Sequence, residues 1–106
     1  MTILFTNGSL TSSSSEQTIF DVSGDEHYSA WIFTHNMTSS ESVRIKVYVF
    51  DSNTSTLRIY EDVTLSGVQS KPAYFIPWLP QREYKVTLQR TAGSDKAYTW
   101  LRAEVV

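Results

Sequence analysis

Apolar and polar residues alternate with a period of two along most of this chain. Val43, Ile45, Val47 and Val49 interleave with Arg44, Lys46, Tyr48 and Phe50. Leu57, Ile59, Val63 and Leu65 share one parity, with Arg58, Tyr60 and Thr64 on the other. Tyr84, Val86 and Leu88 alternate with Lys85, Thr87 and Gln89. Successive side chains of a strand point to opposite faces, so this period marks strands with one face in a core. β-branched and aromatic residues fill these runs, as strands favour. No apolar stripe at helical spacing competes with them. Turn-forming clusters fall between the runs, at Ser23-Gly24-Asp25, Asn36 to Glu41, Asp51 to Ser55, Ser66-Gly67 and Ala92 to Asp95. The pattern predicts strands near 17–22, 27–35, 42–51, 56–65, 73–76, 82–91 and 97–105, with a short one at 2–6. Seven or eight short antiparallel strands with turns about every ten residues predict an all-β, two-sheet sandwich or a small barrel.

The first fifteen residues stand apart from a sandwich domain at 16–106. MTILFT is strand-like, whereas NGSLTSSSS is polar and Ser-rich and reads as a linker. Eight flexible residues span about 16 Å, enough to carry Ile3, Leu4 and Phe5 onto a neighbouring subunit. The arm can instead pair with the edge of its own sheet, or turn back at Asn7-Gly8 as a hairpin.

The stretch PAYFIPWLP at 72–80 crowds aromatic and aliphatic residues between three prolines. It leads into Leu79-Pro80-Gln81-Arg82-Glu83-Tyr84-Lys85-Val86, which resembles the entry to strand F of fibronectin type III and related immunoglobulin-like sandwiches. The resemblance implies a tyrosine corner, in which the Tyr84 hydroxyl bonds back to the corner backbone. It makes Pro77, Trp78, Leu79, Pro80 and Tyr84 a structural corner. Pro77 and Pro80 then mark the end of a strand and the crossing between sheets, and Trp78 or Leu79 plugs the open end of the sandwich. The segment departs from the family pattern: Trp78 and Gln81 stand where the family carries other residues, and no cysteine pair of antibody type exists. A jelly roll of two four-stranded sheets is the alternative, favoured if residues 2–6 form an eighth strand. Exposure of the aromatics as a recognition site is the alternative to a plug.

Composition removes several functions. A formal net charge of −2, with nine Lys and Arg scattered along the chain, gives no basic surface for nucleic acid. The absence of cysteine excludes disulfides and thiolate metal sites. No apolar run approaches the roughly 20 residues that span a bilayer as a helix, so no membrane partner is expected. MTILFTNG lacks the basic and long apolar regions of a signal peptide. His27 and His35 lie roughly 26 Å apart on one predicted strand, too far to share a metal ion. Asp25 and Glu26 sit in a turn, and Glu61 and Asp62 point to opposite faces of a strand, so neither pair suits acid–base catalysis. Glu61 has core parity and marks a bulge or an edge. No nucleophile elbow, zinc-protease, P-loop or dinucleotide motif occurs. The chain is therefore read as no enzyme, with no cofactor. All three asparagines, Asn7, Asn36 and Asn53, stand in N-x-S/T sequons, which read as Ser/Thr-rich turns with glycosylation as the alternative.

What remains is surplus apolar surface. Trp31 and Phe33 stand opposite Tyr28, Ala30 and Ile32, and Tyr48 and Phe50 stand opposite a Val/Ile face. Burying each such large side chain is worth about 1.5–3 kcal/mol, so leaving several exposed together invites association. Ile3, Leu4, Phe5, Trp31, Phe33, Tyr48 and Phe50 are the candidate interface residues. Cover by the arm or a loop within the monomer is the alternative. A Cys-free β-domain with an arm and an apolar second face resembles the small decoration proteins of phage and archaeal virus capsids. The resemblance implies a non-enzymatic virion or extracellular assembly subunit whose partners are copies of itself or a capsid. A carbohydrate-binding module using Trp31, Tyr60, Trp78 or Trp100 as a stacking platform is the second expectation.

Overall fold

The computed structural model describes residues 2–23, 27–80 and 83–105; the side chains at 27 and 78–80 also lie outside the description. Eight strands follow the alternating runs: β1 (Ile3–Thr11), β2 (Gln17–Ser23), β3 (His27–Phe33), β4 (Ser42–Asp51), β5 (Thr56–Ser66), β6 (Ala73–Pro80), β7 (Glu83–Ala92) and β8 (Ala97–Val105). They form two four-stranded antiparallel sheets. The first runs β1-β8-β3-β6 and the second β2-β7-β4-β5. The all-β, two-sheet sandwich is therefore the fold. Consecutive strands alternate between the sheets at β1, β2 and β3, and β1 pairs with β8. That order is the jelly roll. It corrects the immunoglobulin-like order, in which the first strand lies beside the second or its partner sheet has three strands.

The inner faces meet in one core. Val43, Ile45 and Val47 of β4, Val86 and Leu88 of β7, Ile32 of β3 and Ile76 of β6 are sealed from water. Toward one end the filling becomes aromatic: Tyr28 stacks on Tyr84 with centroids 6.3 Å apart, and Phe20 lies 5.5 Å from Trp100. Arg102 closes that end, its guanidinium 5.4 Å from the Phe20 ring and 5.8 Å from Tyr28.

Three expectations change here. β1 continues to Thr11, with Asn7 paired to Leu101 and Gly8 to Trp100, so Asn7-Gly8 makes no turn. Glycine is required there by contact: a Cβ at Gly8 would stand 2.6 Å from the Trp100 ring. The Ser-rich stretch that follows is tied down. The Ser12 N–H donates to the Lys96 carbonyl at 2.9 Å, and Arg90 N–H and Gln89 Nε2 donate to the Ser13 and Ser14 carbonyls. The arm thus pairs with its own sheet. Second, β6 runs through Pro77 to Pro80. Its register with β3 shifts between Tyr28 and Ala30, and an edge strand with a bulge tolerates both prolines. Pro77 is exposed within the strand and does not end it. Third, Tyr84 is fully buried, yet its hydroxyl has no hydrogen-bond partner among the described residues. The corner bond implied by the fibronectin resemblance is not formed there. Whether Trp78 or Leu79 plugs the end falls outside the described side chains.

The bulge expected at Glu61 is present: the register of β4 with β5 shifts between Val47 and Tyr48, leaving Tyr60 as the extra residue. It turns Leu57 and Ile59 to the outer face, opposite Phe50 and Tyr48, while Val63 and Leu65 remain inside.

The β3–β4 and β7–β8 loops are locked together by Glu41, which is only 2% exposed. Its carboxylate accepts from Thr38 N–H and Oγ1, both at 2.7 Å, and from Ser40 Oγ at 3.1 Å and Ser94 Oγ at 3.3 Å. The Thr38 hydroxyl and N–H, ahead of an opposing desolvation, hold its pKa down at about 2. Gly93 adopts φ +78° beside it, and a Cβ there would meet the Ser40 carbonyl oxygen at 2.6 Å.

Tyr84→Phe removes a buried hydroxyl that bonds to nothing described, so its melting temperature is expected to match or exceed that of the parent; a loss of more than about 1 kcal/mol would reveal a corner bond. Gly93→Ala is expected to destabilise by more than about 1 kcal/mol, read by chemical denaturation. The folded pKa of Glu41 lies below its unfolded value of 4.5. Its contribution is therefore present above pH 4.5 and is lost as pH falls toward 2. Glu41→Gln should flatten the fall of melting temperature across that window.

Candidate functional site

The outer faces of the two sheets differ in chemistry. On the second sheet, β4 and its neighbours turn a charged and hydroxylic cluster outward, beside the apolar Phe50, Leu57 and Ile59. Arg44 pairs with Asp62 through two hydrogen bonds, at 2.8 and 2.5 Å. Lys46 Nζ lies 3.4 Å from Glu16. The Tyr48 hydroxyl donates to Glu16 at 2.7 Å, and Lys85 sits 5.3 Å above the Tyr48 ring. Burial, and then this bond to Glu16, push the Tyr48 phenol up to about 12. The same bond, against an opposing desolvation, holds the Glu16 carboxyl below its usual range. Tyr48 is therefore engaged in a polar cluster, and Phe50 is half-buried beside it.

The first sheet presents the opposite character. Strand alternation directs Trp31 and Phe33 of β3 away from the core that holds Tyr28, Ala30 and Ile32. Register then sets their neighbours. Trp31 lies between Phe75 of β6 and Leu101 of β8, and Leu101 lies beside Asn7 of β1. One row along, Phe33 stands between Ala73 and Thr99. On the other side, Ser29 stands beside Ala103, which faces Phe5. Trp31 and Phe75 touch, with ring centroids 4.5 Å apart and planes tilted 44°. Trp31 is 38% exposed, Phe75 41% and Phe5 66%. Ser29 and Ala103 are buried although their parity is that of the outer face. Both faces of this sheet are apolar, and a half-buried antiparallel sheet ordinarily keeps one face polar. A depression on this side, beside Gly8, is lined by Asn7, Ser9, Phe33, Thr99, Trp100 and Leu101, none of them ionisable.

The structure thus gathers Trp31, Phe33 and Phe5 on one face, with Ile3 at its margin. Leu4 belongs to the inner parity of β1 but remains 48% exposed. Tyr48 and Phe50 lie on the other sheet. Two members of the apolar face, Phe75 and Leu101, are missing from the sequence-derived set. Their parity with Trp31 is set by cross-strand register, which no local pattern carries. The carbohydrate platform residues do not share a surface: Trp31 faces out of the first sheet, Tyr60 stands on the bulge of β5, and Trp100 packs against Phe20. The side chain of Trp78 is outside the described residues. His35 is exposed in a loop, and among the described residues no group of three His, Cys, Asp or Glu could hold a metal ion.

No protein-family model and no curated protein matches the chain. Among solved structures it is similar to a chain from Bacillus endospore appendages, described as a novel family of disulfide-linked pili. The TM-score is 0.57 and the identity 16%, over 99% of this chain and 88% of that one. At that identity the likeness is one of fold.

Replacing Trp31 and Phe75 together by Ser is expected to leave the far-UV circular dichroism of a β-protein unchanged. It should also lower the fluorescence of a hydrophobic dye such as ANS bound to the protein. Undiminished dye binding would place the accessible apolar surface elsewhere.

Proposed function

We propose that this chain is a non-enzymatic structural subunit that self-assembles into a surface or extracellular polymer through the outer face of its first sheet. The observation that carries this reading is the Trp31–Phe75–Leu101–Phe33 face. It lies opposite a core that is already complete, so folding of one chain does not account for it. An apolar sheet face of this kind suits burial against another protein surface. The likeness in fold to a pilus subunit supports a polymer ahead of the capsid decoration that the sequence suggests. The chemistry of linkage differs from that of disulfide-linked pili, because this chain has no cysteine. Its contacts are then not disulfides, and non-covalent assembly should follow protein concentration by mass action.

Native mass spectrometry and negative-stain microscopy over a concentration series test the reading. Oligomers or fibres that grow with concentration are expected, and the Trp31→Ser, Phe75→Ser double variant should shift that growth to higher concentration. A monomer at every concentration would overturn it.

A further inference from the structure

Two four-stranded sheets have four edge strands, β1 and β6 in the first and β2 and β5 in the second. An edge presents a row of backbone N–H and C=O groups that can template another strand, and folded proteins commonly blunt it with prolines, bulges or charges. Three of these edges are blunted. β6 carries Pro77 and Pro80, which have no N–H, and a shifted register. β2 has a register shift at Ile19 and carries Asp21. β5 has the Tyr60 bulge together with Arg58, Glu61 and Asp62. β1 has none of these devices. Its nine residues, ILFTNGSLT, include no charge and no proline, and all nine pair with β8 without a break. Ile3, Leu4 and Phe5 are exposed in succession, so both faces of the strand are open at that end.

We infer that β1 pairs antiparallel with β1 of a second copy about a two-fold axis at Asn7, joining two first sheets into one eight-stranded sheet. The inference rests on the self-assembly reading and adds the edge through which copies meet. β1 is the unblunted edge, so the unblunted edge available to it is another β1. Pairing a strand antiparallel with itself is the isologous arrangement of a closed dimer. Full overlap of the nine residues puts the axis at Asn7. Phe5 then faces Ser9 and Ile3 faces Thr11 on the outer side, while Leu4 faces Leu10 and Thr6 faces Gly8 on the inner side. Any charge on the axis would oppose itself, and β1 brings none. The pairing adds about eight to ten backbone hydrogen bonds. It also joins the two outer faces edge to edge, with Phe5, Asn7 and Ser9 at the seam.

The axis supplies the test. Asn7→Lys and Asn7→Asp each set a like charge against itself, and Asn7 is exposed, so the fold should be retained by circular dichroism. Native mass spectrometry of each variant alone is expected to show dimer reduced more than tenfold, since such juxtaposition is strongly unfavourable. Mixing the two should restore dimer as the mixed species. In the otherwise cysteine-free chain, Asn7→Cys should form a disulfide-linked dimer under mild oxidation. The Trp31→Ser, Phe75→Ser variant should keep the dimer and lose larger assemblies. Unaltered assembly of both charged variants, or no recovery on mixing, would overturn the edge pairing and leave self-assembly standing. A monomeric parent protein would overturn both.

Discussion

The two sheets are held together by the exclusion of their inner side chains from water. Phe20, Tyr28, Tyr84 and Trp100 meet at one end, and Ile32, Val43, Ile45, Val47, Ile76, Val86 and Leu88 meet toward the other. Each sheet supplies alternate residues to this layer, so the other parity is committed to facing outward. The outward chemistry of each sheet then becomes a separate choice. On the second sheet ion pairs and hydroxyls surround Tyr48, with Phe50, Leu57 and Ile59 toward the β5 edge. On the first it is Trp31, Phe33, Phe75 and Leu101, none of which contributes to the layer between the sheets. The functional reading follows from that asymmetry.

The loops show how tightly the rest is fixed around the layer. A buried carboxylate is costly without donors, and Glu41 collects them from Thr38, Ser40 and Ser94, on two different loops. Gly93 passes close enough that no side chain fits beside it. One end of the sandwich is therefore closed by polar contacts, and the other by aromatic rings and the stacked guanidinium of Arg102.

Strand positions were legible because they depend on local alternation. The runs at 42–51 and 97–105 match β4 and β8 to within a residue. What failed to read depends on residues far apart in the chain. Gly8 looks like a linker glycine by composition, and only Trp100, across the pair with β8, shows why it sits in a strand. Leu57 and Ile59 share parity with Val63, but the extra residue at Tyr60 reverses their side. The segment before Tyr84 resembles a fibronectin corner, yet strand order is a matter of which edges meet, and PAYFIPWLP alone does not encode that. For the candidate surface, Trp31, Phe33 and Phe5 could be picked out by parity. Phe75 and Leu101 join them through register alone.

The pairing of Ile3 with Val105 brings the first and last strands together at the ends where the described chain begins and finishes. Tension applied between those ends would load the β1–β8 hydrogen bonds one after another, as in opening a zip, which is the weakest way to pull on a ladder. In a thread of such units, pulling force is better borne from flank to flank, across whole sheets, than along the polypeptide.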